Sequence, residues 1–171
     1  TSKADVEAAF AQIEDVDLVV STIGGTPADP TADSTGNINL IEAAAAKGVR
    51  KFVLVTSIGC GNSRDAPPQP VYDVLQPVLV EKDKAEAALK ASGMAYTIIR
   101  PGGLANGPAT GSAVLTMDAG VCGAVQREDA AALIVKAALK GTTDNRVLSV
   151  VDTAQLFARD GVTPAVEAFA V

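Results

Sequence analysis

Hydroxyl-bearing residues and glycines follow three apolar runs of this sequence, at the point where each run ends. The first run ends in VVSTIGG (19–25), the second in VLVTSIG (53–59) and the third in IIRPGG (98–103). Hydroxyl groups supply hydrogen-bond donors and acceptors at fixed points, and glycines let a ligand approach the backbone closely. The pattern favours a binding site for a polar small molecule over three unrelated turns.

A lysine inside an apolar helical stripe adds a second feature. A helix predicted at 71–91 carries its stripe at i, i+3, i+4, i+7, i+11 and i+14, and the stripe residues are Leu75, Val78, Leu79, Lys82, Glu86 and Leu89. A lysine in that position either extends its ammonium to solvent or meets a partner. Two interpretations follow: Lys82 reaches solvent, or its ammonium points at ligand hydroxyls beside Ser57.

Several kinds of site are excluded by composition. The chain has no histidine, which removes the Ser-His-Asp triad, Cys-His catalysis and nearly all catalytic zinc sites. Cys60 and Cys122 lack the spacing of metal ligands and are predicted to be reduced core residues, so we expect no metal. The net charge of −6 argues against nucleic acid, and no apolar segment reaches the roughly 18 residues of a membrane span.

The elements that must position these residues alternate along the chain. Strands are predicted at 17–23, 51–57, 95–99 and 146–151, and helices at 3–14, 34–47, 71–91 and 127–140, with a short final helix from about Thr163. Near-continuous apolar strands between helices indicate an α/β fold with a parallel sheet covered on both faces. Ligands bind at the carboxyl edge of such sheets, so the three strand ends should form one crevice.

Three stretches carry a resemblance to a known family: KGVRKFVLVTSIG, VEKDKAEAALKASGMAYTIIRPGGL and VQREDAAALIVKAAL. They resemble the atypical short-chain dehydrogenases/reductases, in the NAD(P)H-binding, NmrA-like subgroup that includes flavin (biliverdin-IXβ) reductases and plastid relatives. The resemblance implies a Rossmann-like doubly wound parallel sheet. Residues 1–171 would form a single NAD(P)-binding domain that is N-terminally incomplete.

The resemblance also implies roles for individual residues. Ser57 would be the catalytic serine and would also contact the cofactor, and Lys82 would hydrogen-bond the nicotinamide ribose. The remaining cofactor-binding residues would be Thr22, Ile23, Gly24, Gly25, Pro101, Gly102, Gly103 and Leu104. Arg100 is expected to pair with a neighbouring acid, and Arg127 to open a helix in a structural role.

Two features depart from the family pattern. Val78 stands four residues before Lys82, where the family has its catalytic tyrosine. The Gly-rich turn that cradles the pyrophosphate is absent. We therefore expect the chain to be an incomplete copy of a longer protein, in which the bare edge of strand 17–23 is covered by further strands or by a protein partner.

Two functions are compatible with these observations. The first is an NAD(P)H-dependent oxidoreductase that delivers hydride to a flavin-like or other conjugated acceptor without a catalytic tyrosine. The second is a non-catalytic nucleotide-sensing or assembly subunit of a larger complex, such as a plastid one. The cofactor would be NADP or NAD, with NADP slightly favoured, and the compartment the cytoplasm or the plastid stroma.

Overall fold

A computed structural model describes residues 1–158 and 161–171 of the chain. Its helices are α1 (Lys3–Ala11), α2 (Asn37–Lys47), α3 (Gln69–Ala91) and α4 (Arg127–Ala138), and its strands are β1 (Leu18–Ser21), β2 (Lys51–Val55), β3 (Ala95–Pro101), β4 (Gly103–Ala105), β5 (Ala113–Thr116), β6 (Ala124–Gln126) and β7 (Arg146–Asp152). A π-helical turn, Ala32–Gly36, leads directly into α2. The four predicted strands and the first four predicted helices are therefore confirmed, with ends that shift by a few residues.

The strands form a five-stranded sheet in the order β1-β2-β3-β7-β5. The pairings β1–β2, β2–β3 and β3–β7 are parallel, whereas β5 runs antiparallel to β7. In this register Ser21 lies beside Leu54, and Val55 beside Ile99. The carboxyl ends of the first three strands thus lie at one edge of the sheet. Strands β4 and β6 form a separate parallel pair above it.

Helices cover both faces of the sheet, as the continuous apolar strands predict. Phe52, Leu54 and Ile98 pack with residues of α2 and α3 on one face. Val53 and Ile99 pack with α4 residues on the other. Within the described residues, β1 pairs with β2 alone, and Val20 is 43% exposed, so β1 is an open edge of the sheet.

The predicted final helix from Thr163 is wrong. Residues 163–171 have no regular secondary structure. The Phe169 backbone N–H donates to Leu115 O at 2.7 Å, and Phe169 and Val171 pack against the core. The extended tail buries apolar side chains against the core, whereas a short isolated helix is only marginally stable in water.

A buried ion pair connects α3 to the end of β3. Arg100 donates from Nε to Glu86 Oε1 at 2.9 Å and from Nη2 to Glu86 Oε2 at 2.7 Å, and both residues are 2% exposed. Thr56 Oγ1 donates to the same carboxylate at 2.9 Å. Burial by itself would raise the pKa of Glu86, but the hydrogen bonds and charge of Arg100 outweigh it and hold that pKa below its ordinary value. The expected pairing of Arg100 with an acid is confirmed.

Two aspartates hold the loop that follows β4. Asp152 accepts hydrogen bonds from the hydroxyls of Thr110 and Ser112, both at 2.6 Å. Asp129 accepts from the backbone N–H groups of Thr110 and Gly111. Burial opposes ionisation of Asp152, but its hydrogen bonds prevail and lower its pKa to about 2.

We expect Arg100→Met to lower the free energy of unfolding by about 3–5 kcal/mol, because it leaves the Glu86 carboxylate buried without its main partner. The double variant Arg100→Met/Glu86→Leu should regain most of that loss. Urea denaturation measures both. Arg50→Met is the control, since its ion pair with Asp17 is exposed and should be worth under about 1 kcal/mol. Equal losses of unfolding free energy for Arg100→Met and Arg50→Met would contradict the conclusion that the buried ion pair with Glu86 stabilises the fold.

We expect Asp152→Asn to cost about 1–2 kcal/mol of stability at neutral pH, because charged acceptors make the stronger hydrogen bonds. The folded pKa of about 2 lies below the ordinary 3.8, so the wild-type advantage is complete above 3.8 and disappears as the pH falls through 2. Urea denaturation across this pH range tests it. An advantage that persists at pH 2, or that Asp118→Asn reproduces, would refute this account.

Candidate functional site

A cavity opens at the carboxyl edge of the sheet, beside the ends of β2 and β3. Its volume is about 380 Å³. The residues that line it are Thr56, Ser57, Ile58, Pro67, Val71, Leu75, Pro101, Gly102, Gly103, Leu104, Cys122, Arg127 and Phe157. The structure therefore brings Ser57 together with Pro101–Leu104, as the parallel sheet predicts.

Ser57 is held in place by an extension of the strand pairing. Beyond the end of β2, the Thr56 N–H donates to Ile99 O at 2.8 Å and the Ile58 N–H donates to Pro101 O at 3.0 Å. The Ser57 hydroxyl donates to the carbonyl of Ile58 at 2.9 Å. Its oxygen lone pairs remain able to accept a hydrogen bond from a molecule in the cavity.

The protein's own backbone requires a glycine at position 102. A Cβ at this position would lie 2.2 Å from Gly123 O, and the Gly103 N–H donates to the same carbonyl at 2.9 Å. Gly103 itself has room, since the nearest atom to its Cβ position is 3.9 Å away. Of the two glycines, Gly103 is the one that leaves open space.

Lys82 points inward and meets a buried carboxylate. Its Nζ donates to Asp33 Oδ1 at 2.5 Å, and the two side chains are 14% and 1% exposed. The other Asp33 oxygen accepts the Gly25 backbone N–H at 2.9 Å. The interpretation that Lys82 extends to solvent is wrong, and the partner comes from the π-helical turn before α2.

The residues after β1 lie over this ion pair. Thr22, Ile23, Gly24 and Gly25 are exposed. A Cβ at Gly24 would lie 3.2 Å from Asp33 Oδ1 and 3.4 Å from Lys82 Nζ, so a side chain there would cover the ammonium. Gly24 thus leaves the ammonium open to a molecule that approaches from above.

The predicted site residues consequently form two groups on one edge. Ser57 and Pro101–Leu104 line the cavity, whereas Lys82 and Thr22–Gly25 lie outside its lining. The two groups are connected through Thr56, which lines the cavity and donates to Glu86, one helical turn beyond Lys82.

Two buried thiols lie near the site. Burial raises the pKa of Cys60 to about 12, and the Glu86 and Asp83 carboxylates add to the shift. Burial also raises the pKa of Cys122. Both residues are free and protonated at neutral pH, as predicted for core cysteines. Cys60, Asp83 and Glu86 could together offer three ligand atoms to a metal, but Arg100 already occupies the Glu86 carboxylate.

Sequence reasoning missed several residues of the site. Asp33 could have been sought as the partner that an inward lysine demands, but nothing in the local pattern identifies it. Phe157 lines the cavity because its N–H donates to Cys122 O at 2.9 Å, a contact between distant segments. Arg127 was predicted only to open α4, and it also reaches the cavity.

Within the described part of the chain, no helix has the length and apolar character needed to cross a membrane.

Comparisons with known proteins identify the family. The profile of an NAD(P)H-binding family matches residues 1–140. An uncharacterised sugar epimerase of Bacillus subtilis, YhfK, is 31% identical over 169 residues, which cover 98% of this chain and 72% of that protein. An uncharacterised chloroplastic protein of Arabidopsis thaliana is 36% identical over 128 residues, 72% of this chain and 46% of that protein.

A solved structure shows the same fold over almost the whole chain. The anaerobilin reductase ChuY of Escherichia coli O157:H7 superposes with a TM-score of 0.79 and 32% identity, covering 96% of this chain and 74% of that one. The mainly parallel sheet, the cavity at its carboxyl edge and these matches agree. The chain belongs to the NAD(P)H-binding family of atypical short-chain dehydrogenases/reductases.

Proposed function

We propose that the protein is an NAD(P)H-dependent reductase whose acceptor is a planar, conjugated molecule bound in the cavity at Gly102–Gly103. The observation that carries the proposal is the cavity itself, which joins Ser57 to Pro101–Leu104 at the carboxyl edge of the sheet. The membership in an NAD(P)H-binding family supports the cofactor, and the similarity to the anaerobilin reductase ChuY supports the reaction class. NAD(P)H, when bound, supplies a hydride.

The residues after β1, together with Asp33 and with Lys82 on α3, fit such a cofactor. Gly24 leaves the ammonium of Lys82 uncovered. An ammonium has three N–H donors, and Asp33 accepts one of them. The two that remain can bind a pair of ribose hydroxyls. Asp33 thereby orients Lys82, and the Gly25 N–H holds Asp33 in turn.

The cavity residues orient the acceptor and do not act as strong acids. Ser57 can accept or donate one hydrogen bond at a fixed place. Val78, four residues before Lys82, is 7% exposed and offers no hydroxyl. The described residues that line the cavity include no Asp, Glu or Tyr, so we propose that the acceptor takes its proton from water.

NADP is the first choice of cofactor and NAD the second. The similarity to a chloroplastic protein supports the plastid stroma beside the cytoplasm as compartment. We also propose that residues 1–171 belong to one dinucleotide-binding domain, and that the open edge of β1 is covered by further strands or a protein partner.

Turnover tests the proposal and separates it from a nucleotide-sensing subunit. The full-length protein, mixed with NADPH or NADH and FMN or riboflavin, should oxidise the reduced nucleotide, followed by its absorbance. Ser57→Ala should lower the turnover number about tenfold, the effect of losing one oriented hydrogen bond, and leave the stability unchanged. Ser92→Ala, at the end of α3, is the control. Tight NADPH binding without turnover of any acceptor would favour the sensor.

Lys82→Met should weaken NADPH binding about tenfold, because it removes charge-assisted hydrogen bonds to the ribose. It should also destabilise the fold by leaving Asp33 buried and unpaired. Lys82→Met/Asp33→Asn should restore stability but not affinity, which separates the two effects. Lys84→Met serves as the control, because the Lys84 side chain is 56% exposed and pairs with Glu81 at the surface. Equal affinities for Lys82→Met and Lys84→Met, by fluorescence titration, would refute the assignment.

A further inference from the structure

The lining of the cavity at Gly102–Gly103 is more apolar than polar. Its apolar side chains include Val71, Leu75, Leu104 and Phe157. Among the described residues that line it, Arg127 carries the charge. Arg127 is an exposed residue, so its guanidinium lies where the cavity meets solvent.

The guanidinium of Arg127 is held by neutral acceptors and keeps one edge free. Its Nη1 donates to Asn106 Oδ1 at 2.7 Å and to Leu104 O at 3.3 Å. In residues 1–158 and 161–171, its Nε and Nη2 have no hydrogen-bond acceptor, and no carboxylate forms an ion pair with it. The Nε–Nη2 edge is the planar fork that binds a carboxylate or phosphate through two hydrogen bonds.

The acids next to Arg127 in sequence are turned away from it. Glu128 accepts the N–H of Ala109 at 3.1 Å, and Asp129 accepts the N–H groups of Thr110 and Gly111. These bonds also hold the loop that carries Asn106. The guanidinium is thus positioned before any ligand arrives, which lowers the entropy lost on binding.

A neighbouring cavity is lined by a residue of the opposite charge. It has a volume of about 510 Å³ and shares Pro67, Cys122 and Phe157 with the first. The charged side chain among its described lining residues is Asp65. An anionic group is therefore attracted toward Arg127 and repelled from the neighbouring cavity, which Asp65 lines.

We infer that Arg127 binds a carboxylate or phosphate on the acceptor, so that the acceptor is a planar apolar ring system with an anionic substituent. This inference rests on the proposed function, because it places the acceptor in the cavity at Gly102–Gly103. Arg127 is then a residue that selects the substrate class, in addition to opening α4.

Flavin binding tests the inference without turnover. FMN and riboflavin share one ring system and differ by a phosphate. In the full-length protein saturated with NADP⁺, flavin fluorescence should show FMN bound about tenfold more tightly than riboflavin, the effect of a charge-assisted hydrogen-bond pair at a partly exposed site. Arg127→Ala should reduce the preference to within about twofold, chiefly by weakening FMN binding, and Arg127→Lys should keep part of the preference.

A second pair of probes tests whether the anionic group is a carboxylate. Biliverdin and its dimethyl ester differ in two carboxylates, and a preference for the free acid that Arg127→Ala removes would assign a carboxylate. Arg146→Ala is the control, because it removes the same charge at the first residue of β7, at the opposite edge of the sheet. It should leave both preferences intact.

The inference is overturned if neither anionic probe is preferred, if neither binds, or if the preference survives Arg127→Ala. It is also overturned if Arg127→Ala weakens NADP⁺ itself, since Arg127 would then serve the cofactor. Turnover without an Arg127-dependent preference refutes this inference alone. An Arg127-dependent preference without turnover refutes the hydride transfer alone.

Discussion

The buried ion pair between Glu86 and Arg100 determines where the rest of the site lies. Glu86 is one turn beyond Lys82 on α3, and Arg100 immediately precedes Pro101–Gly103 on β3. Two hydrogen bonds between the carboxylate and the guanidinium therefore fix the position of α3, which carries Lys82, relative to the end of β3. Thr56 shares the carboxylate and joins the end of β2 to the same unit, so strand ends and helix form one rigid support.

The buried charges near this support follow one rule: each has a partner. Removing a charge from water is so costly that an unpaired buried ion is rarely kept. Glu86 is satisfied by Arg100, Asp33 by Lys82 and the Gly25 N–H, and Asp152 by the hydroxyls of the loop after β4. Lys82, beneath Gly24, and Arg127, which lines the cavity, both retain free hydrogen-bond donors. They are the groups that a ligand can still engage.

The strands, the helices and the edge that collects Ser57 and Pro101–Leu104 were predictable, because they depend on local apolar patterns and on parallel pairing. The apolar stripe of α3 also identified Lys82 as a lysine that must either reach solvent or meet a partner. It could not name Asp33, which lies 49 residues away, since pairing across such a distance depends on packing. The positions of Phe157 and of the extended tail also depend on contacts between distant segments, so the local sequence could not predict them. Gly102 has a further physical reason that the sequence did not show: its lack of a Cβ makes room for the Gly123 carbonyl.

Two features support the proposed class of acceptor: the buried Val78 four residues before Lys82, and Arg127, the charged residue among the described residues that line the cavity. Reduction of a simple ketone creates an alkoxide, which needs a positioned acid, and the position that would supply one holds the buried Val78. A conjugated ring system spreads the charge that hydride addition brings and can take a proton from water. A polar substituent would also have to hold such a ring in a mainly apolar cavity. Arg127 stands at the opening with a free hydrogen-bonding edge, so orientation there would come from charge and not from shape alone.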